Sequence, residues 1–150
     1  MHENHLELAE KLSHLLGDVV TVAHITQGYH WNVKGIEFSQ LHEFFADIYG
    51  DIDGSIDPLA ENIRKIGYDS PYLLQDFIEL GCIDERRVTG NAQEMLTSLA
   101  RINATVINCL TGAFHSADEC DEQGIADFLA GRIDMHKKWQ WQIESSLGIR

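Results

Sequence analysis

The chain has 150 residues, 44% of them hydrophobic, a formal net charge of −13 and only two prolines, Pro58 and Pro71. That length suits a single domain, residues 1–150, with a sizeable core, and the scarcity of proline leaves room for long helices. The charge argues against grasping a phosphate backbone, which needs clustered Lys and Arg, and for attracting cations. No stretch approaches the roughly 20 apolar residues of a membrane span, and the N-terminus lacks a basic region followed by an apolar run, so a cytoplasmic protein is expected.

From Glu3 to about Lys34, Leu8, Leu12, Leu15, Val19, Val22 and Ala23 recur at three- and four-residue steps, the period of an amphipathic helix. No lysine-rich extension precedes it. His2 and His5 form an HxxH near its start, read as a frayed terminus or a surface metal site; His14 and His24 read as surface or interface residues. His30-Trp31-Asn32-Val33-Lys34-Gly35 closes this helix and turns the chain. A second helix is expected from about Phe38 to Ile66, with Leu41, Phe44, Phe45, Ile48, Ile52, Ile56, Leu59, Ile63 and Ile66 on its apolar face.

His42 lies near the start of that second helix, and Asp57 and Glu61 lie near its end, one turn apart and so on one face. Two imidazoles and two carboxylates suit a borderline or hard cation such as iron or zinc. Fifteen residues of helix put His42 and Asp57 roughly 22 Å apart, too far for one metal within one chain. If His30, His42, Asp57 and Glu61 serve one centre, the histidine end of one subunit meets the carboxylate end of another, which demands a two-fold dimer with two equivalent sites. A chain broken near Gly54 or Pro58 would escape this constraint. A second reading makes Asp57 the N-cap of a new helix with Pro58 in its first turn.

Gly67-Tyr68-Asp69-Ser70-Pro71 is a turn, with Ser70 as cap and Pro71 opening a short helix to about Leu80, ended by Gly81. Ile83 to Gly90 is a polar connection. A third long helix follows from Asn91 to about Ala117, with Met95, Leu99, Ile102, Val106 and Leu110 on one stripe. After the acidic turn Asp118–Glu122, a fourth runs to about Leu147 with Ile125, Leu129, Ile133, His136, Gln140, Ile143 and Leu147 inward. His136 reads as a buried, hydrogen-bonded histidine, with a supplementary ligand as the alternative. Cys82, Cys109 and Cys120 lack CxxC spacing and read as reduced packing residues. The chain is therefore expected to be all-α, a four-helix bundle with a short extra helix between helices 2 and 3. No Glu-x-x-His occurs, the motif that holds two metals inside one bundle. That again moves the site to an interface.

The two histidines twelve apart, the Asp-x-x-x-Glu pair, Trp31-Asn32-Val33-Lys34-Gly35, Leu41-His42-Glu43 and Ile63-Arg64-Lys65-Ile66-Gly67 together resemble the signature of the Dps family, the ferritin-like, dodecameric mini-ferritins. The resemblance implies a ferroxidase: ferrous iron oxidised by hydrogen peroxide or dioxygen at inter-subunit sites and stored as ferric mineral, protecting against oxidative stress. His30 and His42 would come from one subunit and Asp57 and Glu61 from its two-fold neighbour, with zinc as a competing cation. Trp31 would donate an electron to radical products or pack at the interface. Asp118, Asp121, Glu122 and Asp127 would line three-fold pores that admit iron. One position departs from the pattern: an aspartate usually follows the second histidine by four residues, and here it is Ala46. Asp47 points about 100° away on a helix, and the ligand role is not transferred to it. Alternative readings are a metal-binding shell with weak ferroxidase activity and a DNA-binding nucleoid protein; the charge and the missing basic tail count against the latter.

Overall fold

The computed structural model describes residues 3–150, with side chains from His5 onward. In chain order the helices are α1 (Glu3–Asn32), α2 (Phe38–Gly54), α3 (Ile56–Lys65), α4 (Leu74–Leu80), α5 (Ala92–Glu119) and α6 (Gln123–Ser146). The only strand-like feature among the described residues is an isolated bridge between Lys34 and Asn91. α1 packs on α2 and α5, α5 pairs with α6, and α3 and α4 also lie on α1. Taken as one rod, α2 and α3 complete a four-helix bundle, and α4 is the short helix expected between the second and third long ones.

The core follows the sequence periodicity. Leu8, Leu12, Leu15, Val19 and Val22 of α1 are buried, as are Phe45, Ile48 and Ile52 of α2 and Leu99, Ile102 and Val106 of α5. Each position recurs three or four residues after the last, so each helix presents one continuous stripe inward.

The single helix expected from Phe38 to Ile66 is interrupted for one residue, Ser55. Pro58 has no N–H to give to the Gly54 carbonyl. Ser55 tightens the turn instead, its N–H and its hydroxyl both donating to the Ile52 carbonyl at 3.0 and 2.6 Å. Its backbone stays right-handed helical (φ −86°, ψ −11°), and the Leu59 N–H resumes the ladder onto the Ser55 carbonyl at 3.1 Å. The rod continues past the break without reversing. Ser55, not Asp57, occupies the N-cap position of α3, so the capping role considered for Asp57 is not the one it has.

Two other boundaries differ from expectation. α4 begins at Leu74 rather than Pro71, because the Ser70 hydroxyl donates to the Pro71 carbonyl at 3.0 Å instead of capping amides further on. α5 runs to Glu119, so Asp118 belongs to its last turn and not to the opening of the next helix. Asp121 then adopts φ 60°, a left-handed conformation that Asp tolerates better than most residues. The Glu122 and Asp121 N–H groups return to the Ala117 and Asp118 carbonyls at 2.9 and 3.1 Å, the paired bonds of a Schellman ending.

A polar network ties α2, α5 and α6 together inside this apolar frame. Arg132 donates two hydrogen bonds to the Asp51 carboxylate, at 2.9 and 2.8 Å, and the Trp139 indole N–H donates a third at 2.8 Å. His136 is fully buried. Its Nε2 faces an Arg132 N–H at 3.3 Å and its Nδ1 faces Asn103 Oδ1 at 2.7 Å. A guanidinium can only donate, so Nε2 accepts, and Nδ1–H donates to Asn103. Both nitrogens of His136 are thus committed within the bundle, which leaves none for a metal. Burial and the Arg132 charge push its pKa down to about 4. For Asp51, burial acts to raise the pKa, but the hydrogen bonds from Arg132 and Trp139 and the Arg132 charge outweigh it, and the net shift is downward.

Two predictions follow from this network. Arg132→Met strands the Asp51 carboxylate and is expected to cost about 2–3 kcal/mol, read by urea unfolding at matched protein concentration. The second concerns pH. His136 is neutral in the fold down to about pH 4 but takes up a proton below about pH 6.5 when unfolded. It has no effect on stability above that range and weakens the fold as pH falls through it. Going from about pH 7.5 to about pH 5 should cost about 2 kcal/mol from this residue, and His136→Gln should flatten that part of the profile.

Candidate metal centre

The histidine end of the site is assembled by the α1–α2 turn. Gly35 adopts φ 119°, a conformation that strains any residue with a Cβ, and the Lys34 N–H is pinned to the Gly90 carbonyl at 3.0 Å. The chain reverses in five residues and lays α2 back along α1, which brings His42 against His30. The two imidazoles stack, with centroids 3.8 Å apart and planes 15° from parallel. His30 Nδ1 lies 2.6 Å from the His42 carbonyl oxygen, and His42 Nδ1 lies 2.7 Å from the His30 carbonyl oxygen. A carbonyl can only accept, so both Nδ1 atoms carry hydrogen, and Nε2 is the nitrogen of each ring that a metal would take. Fixing the tautomer through the distal nitrogen is how metal-ligating histidines are normally held. Phe38 stacks on His42 with centroids 4.9 Å apart, and the Tyr49 ring centroid lies 5.5 Å from that of His30. Both histidines are half-buried.

Trp31, beside this pair, is 63% exposed, and Ile36 and Phe38 are exposed near it. Apolar side chains at the end of α1, in the turn and at the start of α2 are therefore left uncovered by this chain.

Asp57 and Glu61 lie on α3, both exposed, and neither forms a hydrogen bond or ion pair among the described residues. Asp57 sits in the first turn of α3, where its charge suits the helix dipole. Because the α2–α3 rod does not reverse at Ser55, Asp57 stays roughly 22 Å and Glu61 roughly 28 Å from His42 along the helix. The chain thus brings His30 and His42 together and keeps Asp57 and Glu61 apart from them. Ala46 is half-buried one turn after His42, and Asp47 points to solvent.

The acidic residues between α5 and α6 are only partly grouped as expected. Asp118, Asp121 and Asp127 are exposed, but Glu122 is held by His5 Nε2 at 2.8 Å. The charge of Asp118 lies at the C-terminal end of α5, where the helix dipole disfavours it. His2, the other half of the N-terminal HxxH, lies outside the described residues.

Sequence reasoning missed one cluster. Asp18, Cys82 and Cys109 each place a ligand atom within 4.8 Å of the others. The cysteines lack the short spacing of familiar metal motifs, and only the packing of α4 on α1 reveals them as neighbours. Burial and the adjacent Asp18 carboxylate push the Cys109 thiol up to about 12 and raise that of Cys82 as well.

Comparison with known proteins gives this geometry its context. The Ferritin-like domain family matches residues 9–149. A DNA protection during starvation protein of Brevibacillus brevis is 34% identical over 119 residues, spanning 79% of this chain and 80% of that one. The crystal structure of a Dps protein from Bacillus brevis superposes with a TM-score of 0.92 at 30% identity, covering 98% of this chain and 99% of that one. A Dps protein from Vibrio cholerae O1, described as a member of a broad superfamily of ferritin-like diiron-carboxylate proteins, gives 0.91 at 25% identity, covering 96% and 91%. The chain is a member of the Dps family of ferritin-like proteins, and its place among iron-binding mini-ferritins follows from that membership.

Proposed function

We propose that this protein is a ferroxidase that oxidises ferrous iron at sites shared between two subunits and stores the ferric product. The observation that carries the reading is the paired histidine geometry: two stacked imidazoles whose Nδ1 atoms are held by each other's backbone carbonyls, leaving the two Nε2 atoms to receive a cation. Asp57 and Glu61, exposed and without a hydrogen bond or ion pair among the described residues, are the complementary half. A two-fold neighbour would bring its carboxylates to the histidines and receive the same in return, making two equivalent sites per dimer. The exposed apolar side chains of Trp31, Ile36 and Phe38 fit burial in that interface.

The donor set fits iron. Neutral imidazoles and carboxylates accept a ferrous ion as substrate, and carboxylate charge stabilises the ferric product. With hydrogen peroxide as oxidant, two ferrous ions lose one electron each, and the peroxide takes up two protons and leaves as two waters. Dioxygen is the alternative oxidant. Trp31, next to His30 in the chain, would give an electron to a radical by-product or pack against the neighbour. Asp118, Asp121 and Asp127 suit the mouth of an iron-admitting pore at a three-fold contact of a dodecamer. Glu122 contributes less, since His5 holds it. The net charge of −13 disfavours DNA as a partner and suits a cytoplasmic store that concentrates cations.

Ala46 leaves the face of α2 one turn beyond His42 without a carboxylate, and Asp47 turns outward. Zinc, which takes the same donors without redox chemistry, is the expected competitor. The test is anaerobic loading with ferrous iron followed by peroxide or air, tracking ferric absorbance. Wild type should oxidise rapidly, His30→Ala/Asp57→Ala should lose the reaction, and Ala46→Asp should accelerate it. Equal, slow oxidation in all three would reject the assignment and leave a metal-binding shell.

A further inference from the structure

A second site lies elsewhere on the molecule. Asp18 sits in the middle of α1, twelve residues before His30 and so about 18 Å along the helix from it. Its side chain is completely buried at the junction of α1 with the end of α4 and with α5. Asp18 Oδ1 accepts the backbone N–H groups of Cys82 and Ile83 at 2.6 and 3.1 Å. Asp18 Oδ2 is left facing two sulfurs, Cys82 Sγ at 3.3 Å and Cys109 Sγ at 3.5 Å. The sulfurs are 3.7 Å from each other.

Two glycines make this approach possible. A Cβ on Gly17 would sit 2.6 Å from the Phe77 carbonyl oxygen and 3.0 Å from the Gly81 nitrogen, and one on Gly81 would sit 2.6 Å from Asp18 Oδ1. Any side chain at either position would push the Gly81–Ile83 backbone off α1 and take Cys82 away from the carboxylate.

We propose that Asp18, Cys82 and Cys109 form a metal site for a thiophilic divalent cation, zinc above all. The triangle of donor atoms has the dimensions such an ion imposes. Tetrahedral coordination with metal–sulfur and metal–oxygen bonds of about 2.3 and 2.0 Å sets the sulfur–sulfur separation at about 3.8 Å and each sulfur–oxygen separation at about 3.5 Å. The three observed separations, 3.7, 3.3 and 3.5 Å, are already close to this without an ion between them. Soft sulfur donors select zinc or related ions over iron-type hard cations, so this site differs in chemistry from the His30–His42 centre. Cys82 is exposed, which provides an entry path and leaves the fourth position to a water molecule.

On binding, the two S–H bonds break, two metal–sulfur bonds and one metal–oxygen bond form, and two protons pass to solvent. Nothing is oxidised or reduced. The ion would staple the 81–83 segment, and with it the end of α4, to α1 and α5. The site is independent of the proposed ferroxidase.

Cobalt(II) reports on it directly, because thiolate ligation produces near-ultraviolet sulfur-to-cobalt charge-transfer bands that histidine and carboxylate ligation does not. The reduced, assembled protein should take up one thiolate-ligated cobalt per subunit, with the bands displaced by stoichiometric zinc. Cys82→Ser and Cys109→Ser should each weaken binding at least tenfold and roughly halve the band intensity. Asp18→Asn should weaken binding with the bands kept, whereas Cys120→Ser and His30→Ala/His42→Ala should leave them unchanged. Should the reduced wild-type protein give no charge-transfer band, or bands that survive in Cys82→Ser/Cys109→Ser, the proposal is wrong. It is equally overturned if aerobic protein shows a mass two hydrogens lower, with Cys82 and Cys109 joined, and the reduced form takes up no cobalt.

Discussion

The organising constraint of this molecule is the length of an unreversed helix. His42 stands near one end of the α2–α3 rod and Asp57 and Glu61 near the other, and the single non-helical residue between them, Ser55, keeps right-handed helical dihedrals. A metal–ligand bond of about 2 Å cannot span a separation roughly ten times larger. Much of the rest accords with that disproportion: carboxylates with no hydrogen bond or ion pair among the described residues, histidines whose Nδ1 atoms alone are engaged with backbone carbonyls, and apolar side chains exposed on the turn between α1 and α2. Under the proposed function, each is a half-made contact that a two-fold neighbour would complete.

The polar network inside the bundle offers no ligands to the proposed iron centre. Asp51, Arg132, His136, Asn103 and Trp139 are hydrogen-bonded to one another across α2, α5 and α6, with Arg132 Nε left without a partner. Such a network has to be nearly complete to be tolerable in a low-dielectric interior. It gives three helices a shared registration while leaving no carboxylate or imidazole of this group open to a cation. This network serves the packing of three helices and not metal ligation.

The long helices were legible because apolar residues recur at three- and four-residue steps over many turns, and α1, α5 and α6 were located to within a few residues. Features set by single residues were harder. The break at Ser55 depends on how Pro58 is relieved, and the start of α4 on whether the Ser70 hydroxyl caps or bonds locally; both choices depend on geometry that periodicity does not encode. Among the site residues, His30 and His42 stood out by spacing, and their juxtaposition follows from a five-residue reversal at Gly35. Their mutual Nδ1 hydrogen bonds could not be read from spacing, because they arise from the exact pitch at which α2 returns. The Asp18–Cys82–Cys109 cluster was invisible for another reason: its members lie 64 and 27 positions apart and are joined only by glycine-mediated packing of the α4 end on α1.

The central claim, that one working site is divided between two chains, can be tested by mixing. Subunits carrying His30→Ala/His42→Ala and subunits carrying Asp57→Ala/Glu61→Ala should each be inactive in iron oxidation as pure assemblies. Dissociated and reassembled together in equal amounts, they should recover about a quarter of the wild-type sites, since half the two-fold dimers are mixed and each holds one intact site. Recovery to that level would establish the shared centre. A mixture as inactive as its parents, in assemblies shown to contain both subunits, would contradict it.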